Sequence, residues 1–152
     1  MDIKYNWNKE TGMCIASLIL PNGDVLQGYA ACHPDDMDMC NEKTGCILAG
    51  FKLLVKAHQY HKNYVLKPKL KMLLHLKSLF ERNPNYNKDS YENKMLCRQI
   101  CLLRKEIEEV KCKIETAKQE RKEYIALKDN FYKKVREKRG QNKLNSEEEI
   151  SE

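Results

Sequence analysis

Between Ser90 and Lys138 the chain has neither proline nor glycine, and Leu96, Ile100, Leu103, Ile107, Val110, Ile114 and Ala117 recur through that stretch in alternating steps of four and three. This is the a/d spacing of a helix built to pack lengthwise on other helices. No strand period accommodates it, so the second half of the chain is committed to one long helix with an apolar seam that needs a partner. A second copy of the chain is the expected partner, with Leu96, Ile100, Leu103, Ile107, Val110 and Ile114 as the oligomerisation seam.

Continuing the same count reaches Arg121, Tyr124, Lys128 and Phe131, so the seam turns from aliphatic to basic and aromatic. A cation on a helix–helix seam is costly unless something compensates its charge. An anion held between the helices would do so. Cations alternating with aromatic faces suit a purine nucleotide, which offers a ring to stack and phosphates to pair. Tyr132, Arg136 and Arg139 extend this chemistry, and all seven residues are candidate ligand contacts. The alternative is a register slip near Ala117 that turns Ile125 and Leu127 inward and the cations to water. Gly140 is expected to end the helix, leaving residues 141–152 as a disordered acidic tail.

The first third of the chain reads differently. Ile3, Tyr5 and Trp7 alternate with polar residues, as do Cys14, Ala16, Leu18 and Leu20, and Pro21-Asn22-Gly23-Asp24 carries a hairpin signal before a third strand from Val25 to about Cys32. From about Glu42, behind Asn41 as a cap, Ile47, Leu48, Phe51, Leu54 and Val55 form a helical stripe, with Gly45 and Gly50 allowing close approach to the sheet. Lys67-Pro68 predicts a break before a second, shorter and very basic helix that ends near Arg82. The expected fold is α+β, with a three-stranded antiparallel sheet covered by a helix and followed by a helical hairpin whose long C-terminal helix is coiled-coil-like. The expected units are a βββα unit over 1–60, a basic helix and connector over 61–89, the long helix over 90–140, and the tail over 141–152.

At 152 residues and a mean hydropathy of −0.74, this is a soluble domain too short for a large catalytic fold. There is neither an apolar run of membrane-spanning length nor a signal-peptide layout at Met1-Asp2-Ile3-Lys4, which points to a cytoplasmic protein without a membrane partner. The net charge of +6 is unevenly spread, with 3 basic and 7 acidic side chains in residues 1–50 but 9 and 2 in residues 51–90. Lys62, Lys67, Lys69, Lys71, Lys77 and Arg82 thus favour an anionic partner, nucleic acid being the second choice after a nucleotide.

Seven cysteines form an odd set with no sign of secretion, so reduced thiols are expected and a disulfide framework is not. The spacing of Cys32-His33, Cys40 and Cys46 does not favour zinc, and neither a metal nor a cofactor is expected. Cys97, Cys101 and Cys112 read as small hydrophobes on a helix flank. There is no phosphate loop, nucleophile elbow or H-E-x-x-H pair, so no enzymatic activity is expected. His33-Pro34-Asp35-Asp36 reads as a shaped turn whose polar side chains satisfy neighbouring amides.

Gly28-Tyr29-Ala30-Ala31-Cys32-His33-Pro34-Asp35-Asp36-Met37-Asp38, followed by Gly45, Leu48 and Ala49, resembles the G-x-A-x-C-H-P-x-D-x-D pattern and G-x-x-x-A helix of small phage proteins. These have a fold similar to a double-stranded-RNA-binding domain that lacks its first helix. Over residues 1–58 the chain is most similar to the Thoeris anti-defence protein one family, which joins such a unit to C-terminal helices. Met37-Asp38-Met39-Cys40 and the basic segment near residues 60–85 depart from the family pattern. Gly28, His33, Pro34, Asp35 and Asp36 are the structural motif. The resemblance implies a homo-oligomeric phage sponge in the infected bacterial cytoplasm, with ligand pockets between chains. It would hold glycocyclic ADP-ribose or another cyclic ADP-ribose isomer from Thoeris TIR proteins, or a cyclic oligonucleotide from CBASS systems, without degrading it. A host protein as the counter-defence target is a further alternative.

Overall fold

The structure, a computed structural model, describes residues 2–151. Strands β1 (Ile3–Asn8), β2 (Met13–Ile19) and β3 (Val25–Ala31) form an antiparallel sheet in the order β1-β2-β3. A short 3-10 turn (Pro34–Asp36) leads to α1 (Glu42–Tyr60), then a π-helical segment (His61–Leu66), α2 (Lys67–Arg82) and α3 (Tyr91–Ser151). The expected α+β architecture is what the chain adopts.

Register follows from the period-two pattern. Trp7 pairs with Cys14 and Cys14 with Ala30, so the alternating small and apolar residues of β2 share one face. Cys14, Ala16, Leu18 and Leu20 are buried there against Ala49 and Leu53 of α1. The close approach depends on Gly28, where an added Cβ would meet the Ala49 carbonyl oxygen and lie 2.5 Å from the Leu53 amide nitrogen. Gly23, at φ 91°, takes the left-handed conformation that the β2–β3 turn requires. Asn41 caps α1, its side chain accepting the Thr44 N–H at 2.8 Å.

The helices differ from expectation in three places. Lys67-Pro68 does not break the rod. The widened turn at His61–Leu66, in which the Lys67 N–H donates to the Lys62 carbonyl five residues back, absorbs the proline ring and its missing donor. Nor does Gly140 stop α3, because one helical glycine costs only about 1 kcal/mol relative to alanine and its neighbours are good helix formers. Residues 141–151, expected to be disordered, are helical.

The third correction concerns the seam. Leu96, Ile100, Leu103, Ile107, Val110 and Ile114 are each at most 6% exposed within a single chain. Leu103, Ile107, Val110 and Ile114 pack with Leu66, Leu70, Leu73 and Val55. The partner expected from a second copy is supplied by the continuous rod of α1, the π segment and α2, which folds back antiparallel through the 83–90 connector. This intramolecular contact has no association entropy to overcome, so it satisfies the seam before a second chain can.

Cysteine usage also departs from the reading. Cys32 and Cys40 are joined by a disulfide across a Cα–Cα distance of 6.3 Å, because the 3-10 turn brings the end of β3 back beside the start of α1. Cys14 is buried with its sulfur 3.5 Å from that of Cys46, and burial, followed by Cys46, pushes its thiol up to about 12. Cys101 and Cys112 are exposed rather than tucked under the helix flank. Among the described residues no helix is long and apolar enough to cross a membrane.

Candidate functional site

Where α3 passes the open side of the sheet–helix unit, a cavity of about 250 Å3 forms between them. Its floor is the end of β3 (Ala30, Ala31) with Trp7 and the first turns of α1 (Thr44, Gly45, Leu48), while Lys52 stands one turn further along. Cys32, His33, Asp36, Cys40 and Asn41 make the lip. The opposite wall is α3, which contributes Arg121, Ile125, Lys128, Asp129 and Tyr132. Helical spacing explains that wall, since steps of four, three and four put Arg121, Ile125, Lys128 and Tyr132 on one face.

The electrostatics of the cavity are lopsided. Lys52 is held below the usual ammonium range first by burial and then by the like charges of Arg121 and Lys56. The Nε of Arg121 is buried without a hydrogen-bond partner in the chain. Two cations therefore confront each other across the pocket. Lys128 is turned aside, its ammonium 5.7 Å from the centroid of the Tyr124 ring, which in turn lies 6.3 Å from that of Phe51. The Tyr132 hydroxyl is raised by burial, then by the charge of Asp36 and by Tyr124, while a hydrogen bond with Thr44 opposes the shift.

The lip is tied to α3 by ion pairs spanning about a hundred residues of sequence. Arg136 Nη2 lies 2.9 Å from Oδ1 and 3.1 Å from Oδ2 of the buried Asp36. Arg139 pairs with Asp38, and its hydrogen bond holds the Asp38 carboxyl below the usual carboxylate range. The disulfide closes the loop that carries both aspartates. The lip is thus fastened by one covalent and two ionic contacts.

The residues expected to contact a ligand divide accordingly. Arg121, Lys128 and Tyr132 line the cavity, and Tyr124 braces it from behind. Phe131 is 55% exposed with its ring at 61° to that of Tyr132, and Tyr132 faces the cavity in its place. A straight helix drifts against a strict seven-residue count, which moves the inward face from 131 to 132. Arg136 and Arg139 serve the lip instead of the cavity. The alternative register is not adopted as a whole, since Ile125 faces in but Leu127 is 68% exposed. Gly28 sits beneath α1, His33 and Asp36 lie on the lip, and the side chain of Asp35 is outside the described residues.

Lys52, Thr44 and Asp129 were not singled out from the sequence, and Trp7 and Asn41 were read there only as a strand residue and a helix cap. A signal for Lys52 was present, because Gly45, Leu48 and Lys52 follow in steps of three and four on the helix face that carries the core. Among the described residues no group of three or more His, Cys, Asp or Glu side chains is arranged to hold a metal ion. Comparison with protein-family models, with curated proteins and with solved structures returns no match for this chain.

Proposed function

We propose that this chain is a binding protein that sequesters an anionic, nucleotide-like small molecule in the cavity between the sheet–helix unit and α3, without converting it. The observation that carries the reading is the placement of Arg121, whose buried Nε lacks a partner, in the same cavity as Lys52, whose ammonium is disfavoured first by burial and then by that guanidinium. A phosphate between them would satisfy both, through charge-assisted hydrogen bonds stronger than neutral ones. Trp7 and Tyr132 offer aromatic surface for a base, and Asn41 and Thr44 offer groups that can recognise its edge or a ribose. Together with the resemblance over residues 1–58, this favours a cyclic ADP-ribose isomer or a cyclic oligonucleotide as the ligand and phage counter-defence as the role.

The test is retention. Purified protein is incubated with extract from TIR-activated, infected bacteria, washed and heat-denatured, and the released molecules are analysed by mass spectrometry. The expected result is an unmodified cyclic nucleotide from the wild type. Loss of one charge-assisted contact in Arg121→Gln should weaken retention roughly tenfold or more. Recovery of no nucleotide from folded wild-type protein, or recovery only of a cleaved product, would overturn the reading.

A further inference from the structure

The wall of the cavity contains a covalent element. Cys32 and Cys40 both line the lip and are joined to each other. Each sits on a fixed post. Cys32 directly follows β3, and its N–H donates to the Gly12 carbonyl at 3.1 Å, while Cys40 directly precedes the Asn41 cap of α1. The segment 33–39 between the posts is a turn. The Asp36 N–H donates to the His33 carbonyl and the Met39 N–H to the Asp36 carbonyl, both at 2.9 Å, around a 3-10 helix of three residues. So short a 3-10 helix has little stability of its own.

That segment carries the two carboxylates that fasten α3, Asp36 to Arg136 and Asp38 to Arg139. The two arginine side chains are 53% and 54% exposed, and ion pairs in such surroundings contribute little unless their partners are held in place beforehand. The disulfide holds them, because it restricts where the loop bearing both aspartates can go. The bond is also open to exchange. Cys32 and Cys40 are only half-buried, and Lys52 and Arg121 in the same cavity supply a positive field that favours both an incoming thiolate and the thiolate that leaves. Cys14 does not compete, since it is fully buried and its thiol, pushed up to about 12, stays protonated at neutral pH.

We infer that the Cys32–Cys40 disulfide is a redox latch on the cavity: the oxidised chain retains its anion, and the chain reduced by a small thiol or a dithiol releases it. The inference rests on the sequestration proposed above and names the regulation of that site. The thiolate of the reductant attacks one sulfur of the pair, giving a mixed disulfide and a free cysteine thiolate, and a second thiol resolves it. Two reductant thiols thereby lose two electrons and two protons and become a disulfide, while Cys32 and Cys40 gain them and become thiols. Linkage is reciprocal, so the factor that oxidation adds to affinity for the anion is the factor by which the bound anion protects the disulfide from reduction.

The experiment compares wild type equilibrated with oxidised glutathione, wild type reduced with dithiothreitol, and Cys32→Ser/Cys40→Ser. Peptide mapping of the oxidised form after alkylation should find Cys32 joined to Cys40, with Cys14 and Cys46 as thiols. On reduction, amide hydrogen exchange across residues 33–40 should accelerate by roughly tenfold or more while β2 and α1 keep their protection. The retention assay with extract from TIR-activated cells should then recover roughly tenfold less nucleotide. The double variant should match the reduced chain in both readouts and ignore dithiothreitol. Cys32 and Cys40 found as thiols in the oxidised sample, exchange that reduction leaves unchanged, or a double variant that still responds to dithiothreitol overturns the inference. Equal retention by oxidised and reduced wild type overturns it and leaves sequestration standing, whereas retention by neither form overturns both.

Discussion

Single residues decide how closely the parts of this molecule approach one another. Gly28 lets the backbone of α1 lie on β3, and no side-chain rearrangement could make room for a methyl group there, because the atoms it would strike are backbone. Gly28→Ala is therefore expected to cost about 2 kcal/mol or more, in the upper range of overpacking penalties, and urea denaturation would read it as a lowered midpoint at unchanged slope. Asp38 supplies a pH-dependent counterpart. Its folded-state pKa is lowered by Arg139, so the stability that the pair contributes is complete above the ordinary carboxylate range and is lost as pH falls through the lowered folded value. The melting temperature of Asp38→Asn should accordingly lie below that of wild type at neutral pH, with the two curves converging in acid. Such partners were invisible in the sequence. His33-Pro34-Asp35-Asp36 was legible as a turn, but nothing local indicates that Asp36 is held by an arginine one hundred positions away.

At the scale of elements, periodicity named the helices and strands but not what each one packs against. The seam from Leu96 to Ala117 was fully legible, and its residues are buried as the spacing requires. Its partner was not, because a heptad pattern specifies that a helix must be covered without distinguishing a neighbouring chain from the preceding helices. Leu103→Asp tests the outcome. Placing a carboxylate among Leu66, Ile107 and Val110 should cost about 4 kcal/mol or more through lost packing and a buried charge, and should melt the helical hairpin in the monomer. Reduced helicity in circular dichroism at every protein concentration would mark an intrachain core. A concentration-dependent loss would mark an interchain one. The π segment shows the same limitation, since Pro68 announces a disturbance of the helix but packing on both sides lets the rod widen by one residue instead of ending.

Across the whole molecule, charge separation gives the chain its polarity. The acidic first third meets the basic end of α3 at the lip of the cavity, where Asp36 and Asp38 consume Arg136 and Arg139, while Lys52 and Arg121 remain opposed inside. A site that keeps like charges together in a partly buried space is held at a cost in stability, the usual trade between function and folding. Arg121→Gln, which relieves Lys52, should therefore melt at or above the wild-type temperature in the absence of ligand even as it loses retention. A lower melting temperature would mean that the guanidinium supports the fold instead of a ligand.

The sequence by itself determined the α+β class, the three strands and their hairpin glycine, the capped helix that covers them, and the long helix with its change from aliphatic to basic and aromatic character. Each of these follows from patterns spanning a few turns or a few residues, where backbone geometry and burial act locally. Only the tertiary structure decided that the seam is satisfied within the chain, that Lys52 rather than Arg136 or Arg139 faces Arg121, that Cys32 meets Cys40, and that the helix runs on through Gly140. The physical reason is the same in each case. Pairing energies depend on which groups the folded chain brings together, and when several partners would satisfy the same residue, spacing alone does not choose among them.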